Sequence, residues 1–181
     1  MARALLALIT LLLPLLAGSP AEAASLPSKA RWQADVRTAM QGSVPYLDAR
    51  AAQGGRRLAI VLDIDNTSLA TEYDWPRPVR PTLRFARRAD RLGMGVFFVT
   101  GRHRGTLAGP RRELRRAGFP ISGMCGRGRG ESLVHSKQRC RRQLAARGWT
   151  IVANVGNHRS DLVGRHYERG FRLPSYGGRL S

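Results

Sequence analysis

Two carboxylates one residue apart, Asp63 and Asp65, follow the apolar run Ile60-Val61-Leu62 and precede the polar pair Asn66-Thr67. A short β-branched run of this kind suits a buried parallel strand, and in open α/β sheets the chemistry gathers just beyond the carboxyl ends of such strands. Like charges this close repel one another. Keeping both ionised requires a cation, and losing one charge requires a proton. Either outcome is useful, because a charged carboxylate can attack while a protonated neighbour can donate. Taken alone, the same segment also reads as an Asx turn behind an aspartate cap.

Three further segments add groups of matching chemistry. Val96-Phe97-Phe98-Val99 ends in Thr100-Gly101, a hydroxyl beside a glycine, which can offer a phosphate one O–H and a closely approaching backbone N–H. Lys137 shares a helical stripe with Cys140 and Leu144, which turns its ammonium toward the protein, although a snorkelling lysine on a solvated face has the same spacing. Ile151 to Val155 reads as another strand, followed by Gly156, and the spacing of Asn157 and Asp161 allows both to share one face of a helical turn. Two oxygen donors on one face suit a hard cation.

These groups require strands that end together and helices that return the chain. Apolar runs predict strands near 57–63, 95–100, 121–125 and 150–155, with a short fifth near 170–173. Helical patterns near 81–92, 110–117 and 135–147 separate the first four, the second starting at Pro110 as its first residue. A helical region from Ser28 to Gln53, broken near Gly42 to Pro45, opens the mature chain. Alternation of this sort marks an α/β fold with a parallel sheet covered on both faces. Between Ser68 and Pro81 lies a polar, Pro-rich excursion carrying Tyr73 and Trp75. It reads as a solvated loop or as a place for either aromatic to meet a ligand.

The segments L-D-I-D-N-T-S-L, F-F-V-T-G-R and A-N-V-G-N, the inward Lys137, the G-N-x-x-x-D of Gly156 to Asp161, and the closing R-L-P-S-Y-G-G-R-L-S resemble the haloacid dehalogenase (HAD) superfamily. Within it, they are similar to the secreted acid phosphatases of subfamily IIIB, related to class B acid phosphatases and plant vegetative storage proteins. The resemblance covers about residues 30 to 181. It implies a three-layer Rossmann-like α/β fold with a parallel sheet and a minimal cap, the flap after the first strand, leaving an open site for varied phosphomonoesters. It further implies Asp63 as nucleophile, Asp65 as general acid and base, Thr100 and Gly101 on the phosphate oxygens, and Lys137 neutralising phosphate and nucleophile. Mg²⁺ would rest on Asp63, Asp65, Asn157 and Asp161. Many relatives carry Asp where Asn157 stands, which implies weaker metal binding; the intact Asp63 argues against a noncatalytic storage role.

Residues 1–23 read as an export signal: Arg3, an apolar run from Ala4 to Leu16, then Ala21-Glu22-Ala23 as a cleavage pattern. That run is too short to span a bilayer core, and residues 24–181 suffice for one HAD-like domain with a real core. The expectation is therefore a secreted protein with no membrane span once the leader is removed. The formal net charge is +19, and of the 31 basic residues only Lys29 and Lys137 are lysine. Such a field concentrates anionic substrates, or holds polyanions without turnover in a basic binding protein. No specific nucleic-acid motif accompanies it, since the arginines are not interleaved with aromatics, and an Arg bias of this strength also fits GC-rich coding. Cys125 and Cys140 form a disulfide closing a loop of about 15 residues, worth roughly 3 kcal/mol, or remain two free thiols; the sequence leaves both open, and leaves the oligomeric state open as well.

Overall fold

A computed structural model describes residues 25–180; the leader expected at residues 1–23 lies outside them. Five strands, β1 Leu58–Leu62, β2 Gly95–His103, β3 Gly123–Arg127, β4 Thr150–Gly156 and β5 Arg169–Arg172, form one sheet in the order β3-β2-β1-β4-β5. Every neighbouring pair is parallel. The alternation of side chains sorts the core into two layers. Ile60 and Leu62 of β1 and Val96 and Phe98 of β2 face one cluster, while Ala59, Val61, Phe97 and Val99 face the other.

The first cluster is covered by α1 Lys29–Ala39, α2 Ser43–Ala52, α3 Arg80–Arg91 and α4 Ala108–Arg116, through residues such as Trp32, Leu47, Phe85 and Leu114. The second is covered by α5 Leu133–Ala146, through Cys140 and Leu144. Helices on both faces of a parallel sheet give the three-layer α/β architecture. Ser28 and Ser132 accept hydrogen bonds from the first turns of α1 and α5, as N-cap residues do. From β1 the chain winds outward through β2 and β3, then returns past β1 to lay down β4 and β5. The crevice at that reversal lies at the carboxyl end of β1, between β2 and β4.

Several boundaries differ from the sequence expectation. β2 runs on through Thr100, Gly101 and Arg102 to pair His103 with Arg127, after a register shift that follows Val99. β3 is displaced from 121–125 to 123–127, because Ser122 is used as a hinge: its Oγ accepts from Val96 N and its own N–H donates to Val96 O. α4 begins at Ala108, so Pro110 sits inside the first turn, where its missing N–H is not needed, rather than at the first position. α5 starts at Leu133, fixed by the Ser132 cap.

The excursion between β1 and α3 folds back on itself through bridges Asp65 to Leu69 and Leu69 to Pro78. Tyr73 is stacked on Trp32 of α1 at 4.6 Å between ring centroids, and its hydroxyl donates to Pro27 O at 3.0 Å. Tyr73 is thus committed to packing; Trp75 is 56% exposed. Cys125 of β3 and Cys140 of α5 form a disulfide, with Cα atoms 5.9 Å apart, which decides between the two thiol readings. No helix among the described residues is long and apolar enough to cross a membrane.

Candidate active site

Asp63 extends β1 by one residue. Its N–H donates to Val155 O of β4 at 3.0 Å, and its carbonyl accepts from Ser68 Oγ at 2.6 Å. The chain then turns around Ile64 O, which accepts from the N–H groups of Ser68 and Leu69, both at 2.9 Å. Asn66 makes this turn possible by taking a φ of 51°, a left-handed conformation that Asn tolerates better than most residues, and its Oδ1 accepts from Glu72 N. The polar D-x-D-N-T segment is therefore a tight turn that leaves the Asp63 carboxylate at the strand end, 6% exposed.

Lys137 of α5 reaches this carboxylate. Its Nζ donates to Asp63 Oδ1 at 2.9 Å and also to Asp161 Oδ1. All three groups are buried. Burial and the nearby Asp161 charge push the Asp63 carboxyl up to about 7, against the lowering pull of Lys137. Burial likewise raises Asp161. Desolvation disfavours the Lys137 ammonium, but the charges of Asp63 and Asp161 outweigh it and hold Lys137 above its ordinary value.

Asp161 is fixed from three sides. Its Oδ2 accepts from His158 N at 2.8 Å, closing a capping box at the start of α6 Arg159–Leu162. Its carbonyl accepts from Asn154 Nδ2 of β4 and from Arg141 Nη1 of α5, both at 2.7 Å. Arg141, completely buried, also donates to Val163 O and Arg165 O, so one helix supplies both Lys137 and the residue that holds the loop carrying Asp161. Gly156 is required by this packing, since a Cβ there would collide with the Asp161 side chain.

Asn157 lies just ahead of α6, so the shared helical face inferred from its spacing to Asp161 is absent: that helix is only one turn long. Its amide instead bridges two segments. Oδ1 accepts from Thr67 Oγ1 at 3.3 Å, and Nδ2 donates to Leu180 O at 2.7 Å.

Thr100, 1% exposed, stands at the end of β2 with its Oγ1 accepting from Arg102 N at 3.2 Å, which leaves its hydroxyl proton free to donate. A Cβ on Gly101 would meet Leu133 Cδ2 at 2.7 Å, so glycine allows α5 to start close against β2. Asp65 is held differently from Asp63. Arg102 donates to both of its oxygens, Nε at 3.0 Å and Nη2 at 2.7 Å, and Thr71 Oγ1 of the flap donates at 2.8 Å. Burial alone would raise the Asp65 carboxyl, yet these bonds outweigh it and lower its pKa.

Arg102, Arg141 and Thr71 are the residues that sequence reasoning passed over. Arg141 had a signal, its i, i+4 relation to Lys137. Arg102 had only its place in the T-G-R strand end. Among the histidines, His103 and His135 are exposed, and His158 caps α6 through its ring.

The donors near Asp63 are hard oxygens. Two buried carboxylates share a single ammonium, which leaves negative charge over for a cation to balance, and this charge excess fits a divalent ion. Among the described residues, no three or more His, Cys, Asp or Glu side chains converge as a metal cluster, so a bound ion would also draw on backbone or amide oxygens.

No curated protein matches this chain. Among solved structures, that of the class C acid phosphatase from Bacillus anthracis is similar at 18% identity, with a TM-score of 0.67, covering 82% of this chain and 80% of the other. A second structure of that enzyme, with tungstate bound, gives 17% identity and a TM-score of 0.65 over the same shares. At such identities the likeness establishes a common fold. The family described as HAD superfamily, subfamily IIIB (Acid phosphatase) matches residues 71–179, a span that contains Thr100, Lys137, Asn157 and Asp161 and begins after Asp65. Enzymes of this family generally use a divalent metal. The chain thus belongs to the acid phosphatases of HAD subfamily IIIB, phosphoric monoester hydrolases.

Proposed function

We propose that this protein is an exported, Mg²⁺-dependent acid phosphatase that hydrolyses phosphomonoesters through a phosphoryl group carried on Asp63. The observation that carries this reading is the buried bridge of Lys137 between Asp63 and Asp161, set at the reversal of the sheet with Thr100 at the neighbouring strand end. A carboxylate Oδ of Asp63 attacks phosphorus, the bond to the ester oxygen breaks, and Asp65 gives the departing oxygen its proton. Asp65 then removes a proton from water. The water oxygen attacks the same phosphorus, the bond to Asp63 breaks, and inorganic phosphate leaves.

Thr100 Oγ1 and the Gly101 N–H hold phosphoryl oxygens, and Lys137 offsets their charge together with that of Asp63. Mg²⁺ would be held by Asp63, the Asp65 backbone and Asp161, with Asn157 beside it, and would supply positive charge against the phosphoryl oxygens. Because Arg102 holds Asp65 ionised, the acid role requires that grip to loosen once substrate is bound. The substrate class is small phosphomonoesters, admitted past a flap rather than beneath a bulky cap.

Export rests on the leader pattern at residues 1–23, and the Cys125–Cys140 bond supports it, since disulfides persist in oxidising compartments. Mass spectrometry of extracellular protein should find an N-terminus at Ala24 or within a residue or two. Intact Met1 on a membrane-bound product would contradict it. Turnover is tested by phosphate release with and without Mg²⁺. Retention of polyanions with no release under either condition would favour the basic binding protein instead.

A further inference from the structure

A cavity of 680 Å³ lies between α1, the flap and the start of α3. None of the residues lining it belongs to the group around Asp63, and its volume suits a small organic molecule. Trp32 and Val36 of α1, with Ala70 and Val79 from the two ends of the flap, give it buried apolar walls. Arg37, Arg77, Arg80 and Arg84 stand exposed around it. The acid in the lining, Asp74, already has cations of its own: Lys29 Nζ at 2.6 Å and Arg77 Nε at 3.4 Å.

The charge of the lining points to an occupant. Arg37, Arg80 and Arg84 have no carboxylate partner among the described residues, and the acid of the lining is already taken up, so the occupant must bring negative charge. Pro78, Pro81 and Leu83, half-buried in the lining, leave apolar surface open, so it must bring an apolar body as well.

We propose that this cavity binds an organic anion with an apolar body, at a site separate from Asp63. The anionic oxygens take the rim arginines. Such a site stands whether or not Asp63 transfers phosphoryl groups.

Phenylphosphonate, whose carbon–phosphorus bond resists hydrolysis, is the probe, titrated calorimetrically into the intact mature protein. The variants are Arg80→Gln with Arg84→Gln, and Arg37→Gln alone, all surface changes. The expected result is one equivalent of binding, beyond any at the Asp63 site, that disappears in the double variant and weakens about tenfold in Arg37→Gln. The inhibition constant of phenylphosphonate against phosphate release, which reports the Asp63 site, should be the same in the double variant as in the parent. Binding that is absent, or identical in all three proteins, overturns the proposal. An inactive protein that still shows the arginine-sensitive equivalent would overturn the phosphatase reading and leave the cavity site in place.

Discussion

Arg102 grips both carboxylate oxygens of Asp65, at 3.0 and 2.7 Å, while the neighbouring Asp63 is met by a lysine on one oxygen. Two aspartates one residue apart are thereby driven in opposite directions, Asp65 down and Asp63 up. Without metal this split is the reverse of the two proposed roles: ionising Asp63 for attack calls for a cation beside it, and protonating Asp65 calls for the Arg102 grip to loosen. Arg102→Gln should release Asp65 and move its titration to higher pH, shifting the corresponding limb of the kcat/KM profile upward. Asp65→Asn should cost about 100-fold with alkyl phosphates, which need a proton on the leaving oxygen, and least with nitrophenyl phosphate. Profiles of Arg102→Gln and the parent that superimpose after scaling would count against an acid–base role for Asp65.

Much of this site was legible in the sequence because periodicity reports which way a residue faces. The apolar run before Asp63 marked a buried strand, and the stripe of Lys137, Cys140 and Leu144 turned a lysine inward. What periodicity does not report is which distant side chain arrives. Arg102 was one arginine among many, and its pairing with Asp65 depends on how β2 and the D-x-D turn meet across the crevice. The i, i+4 relation places Arg141 on the face of Lys137, but nothing local reveals the carbonyls of the α6 loop that need a donor. Tyr73 was open to a ligand role until α1 brought Trp32 against it.

The raised Asp63 carboxyl has a consequence for stability. In the unfolded chain Asp63 ionises near pH 4, whereas in the fold it holds its proton up to about 7, through burial and the Asp161 charge. Between those values the native state binds more protons than the unfolded one, so stability falls as pH rises through that window. Asp161, also raised, acts with the same sign. Metal-free protein should therefore lose melting temperature from about pH 4 to 7, and Asp63→Asn should flatten that loss. Saturating Mg²⁺ should flatten it too. Equal slopes in all three melting series would contradict the assignment.

Arg141 is a structural prediction. Truncating it to Met keeps the apolar stem but leaves the carbonyls of Val163 and Arg165 without that donor, and the carbonyl of Asp161 with Asn154 alone. The expected cost is roughly 3 kcal/mol, or about 10 °C in melting temperature for a chain of this size. Because the same loop presents Asp161, Mg²⁺ affinity should weaken as well. A melting temperature within a degree or so of the parent would show that water replaces the guanidinium.

Asn157 sets charge against wiring. Asn157→Asp adds a negative charge toward the cation, but replaces the Nδ2 donor to Leu180 O with an oxygen facing a carbonyl. The variant should melt lower without metal, by an amount on the order of 1–3 kcal/mol, and recover with Mg²⁺, which it should bind more tightly than the parent. Asp161→Asn, which removes a carboxylate placed against the cation, should instead weaken Mg²⁺ strongly. These orderings come from Mg²⁺ titrations and melts at one pH and ionic strength; an unchanged midpoint in both variants would place the metal elsewhere.

The central claim is that Asp63 itself carries the phosphoryl group, and the most direct test is to trap it there. Protein quenched during turnover and reduced with borohydride should yield homoserine at position 63, because an acyl phosphate is reduced where a free carboxylate is not. Peptide mapping by mass spectrometry reads the result. Homoserine at 63 only in samples that received substrate is the predicted outcome, with none in Asp63→Asn; an unmodified Asp63 in protein caught turning over, or homoserine at Asp65 instead, would contradict the mechanism.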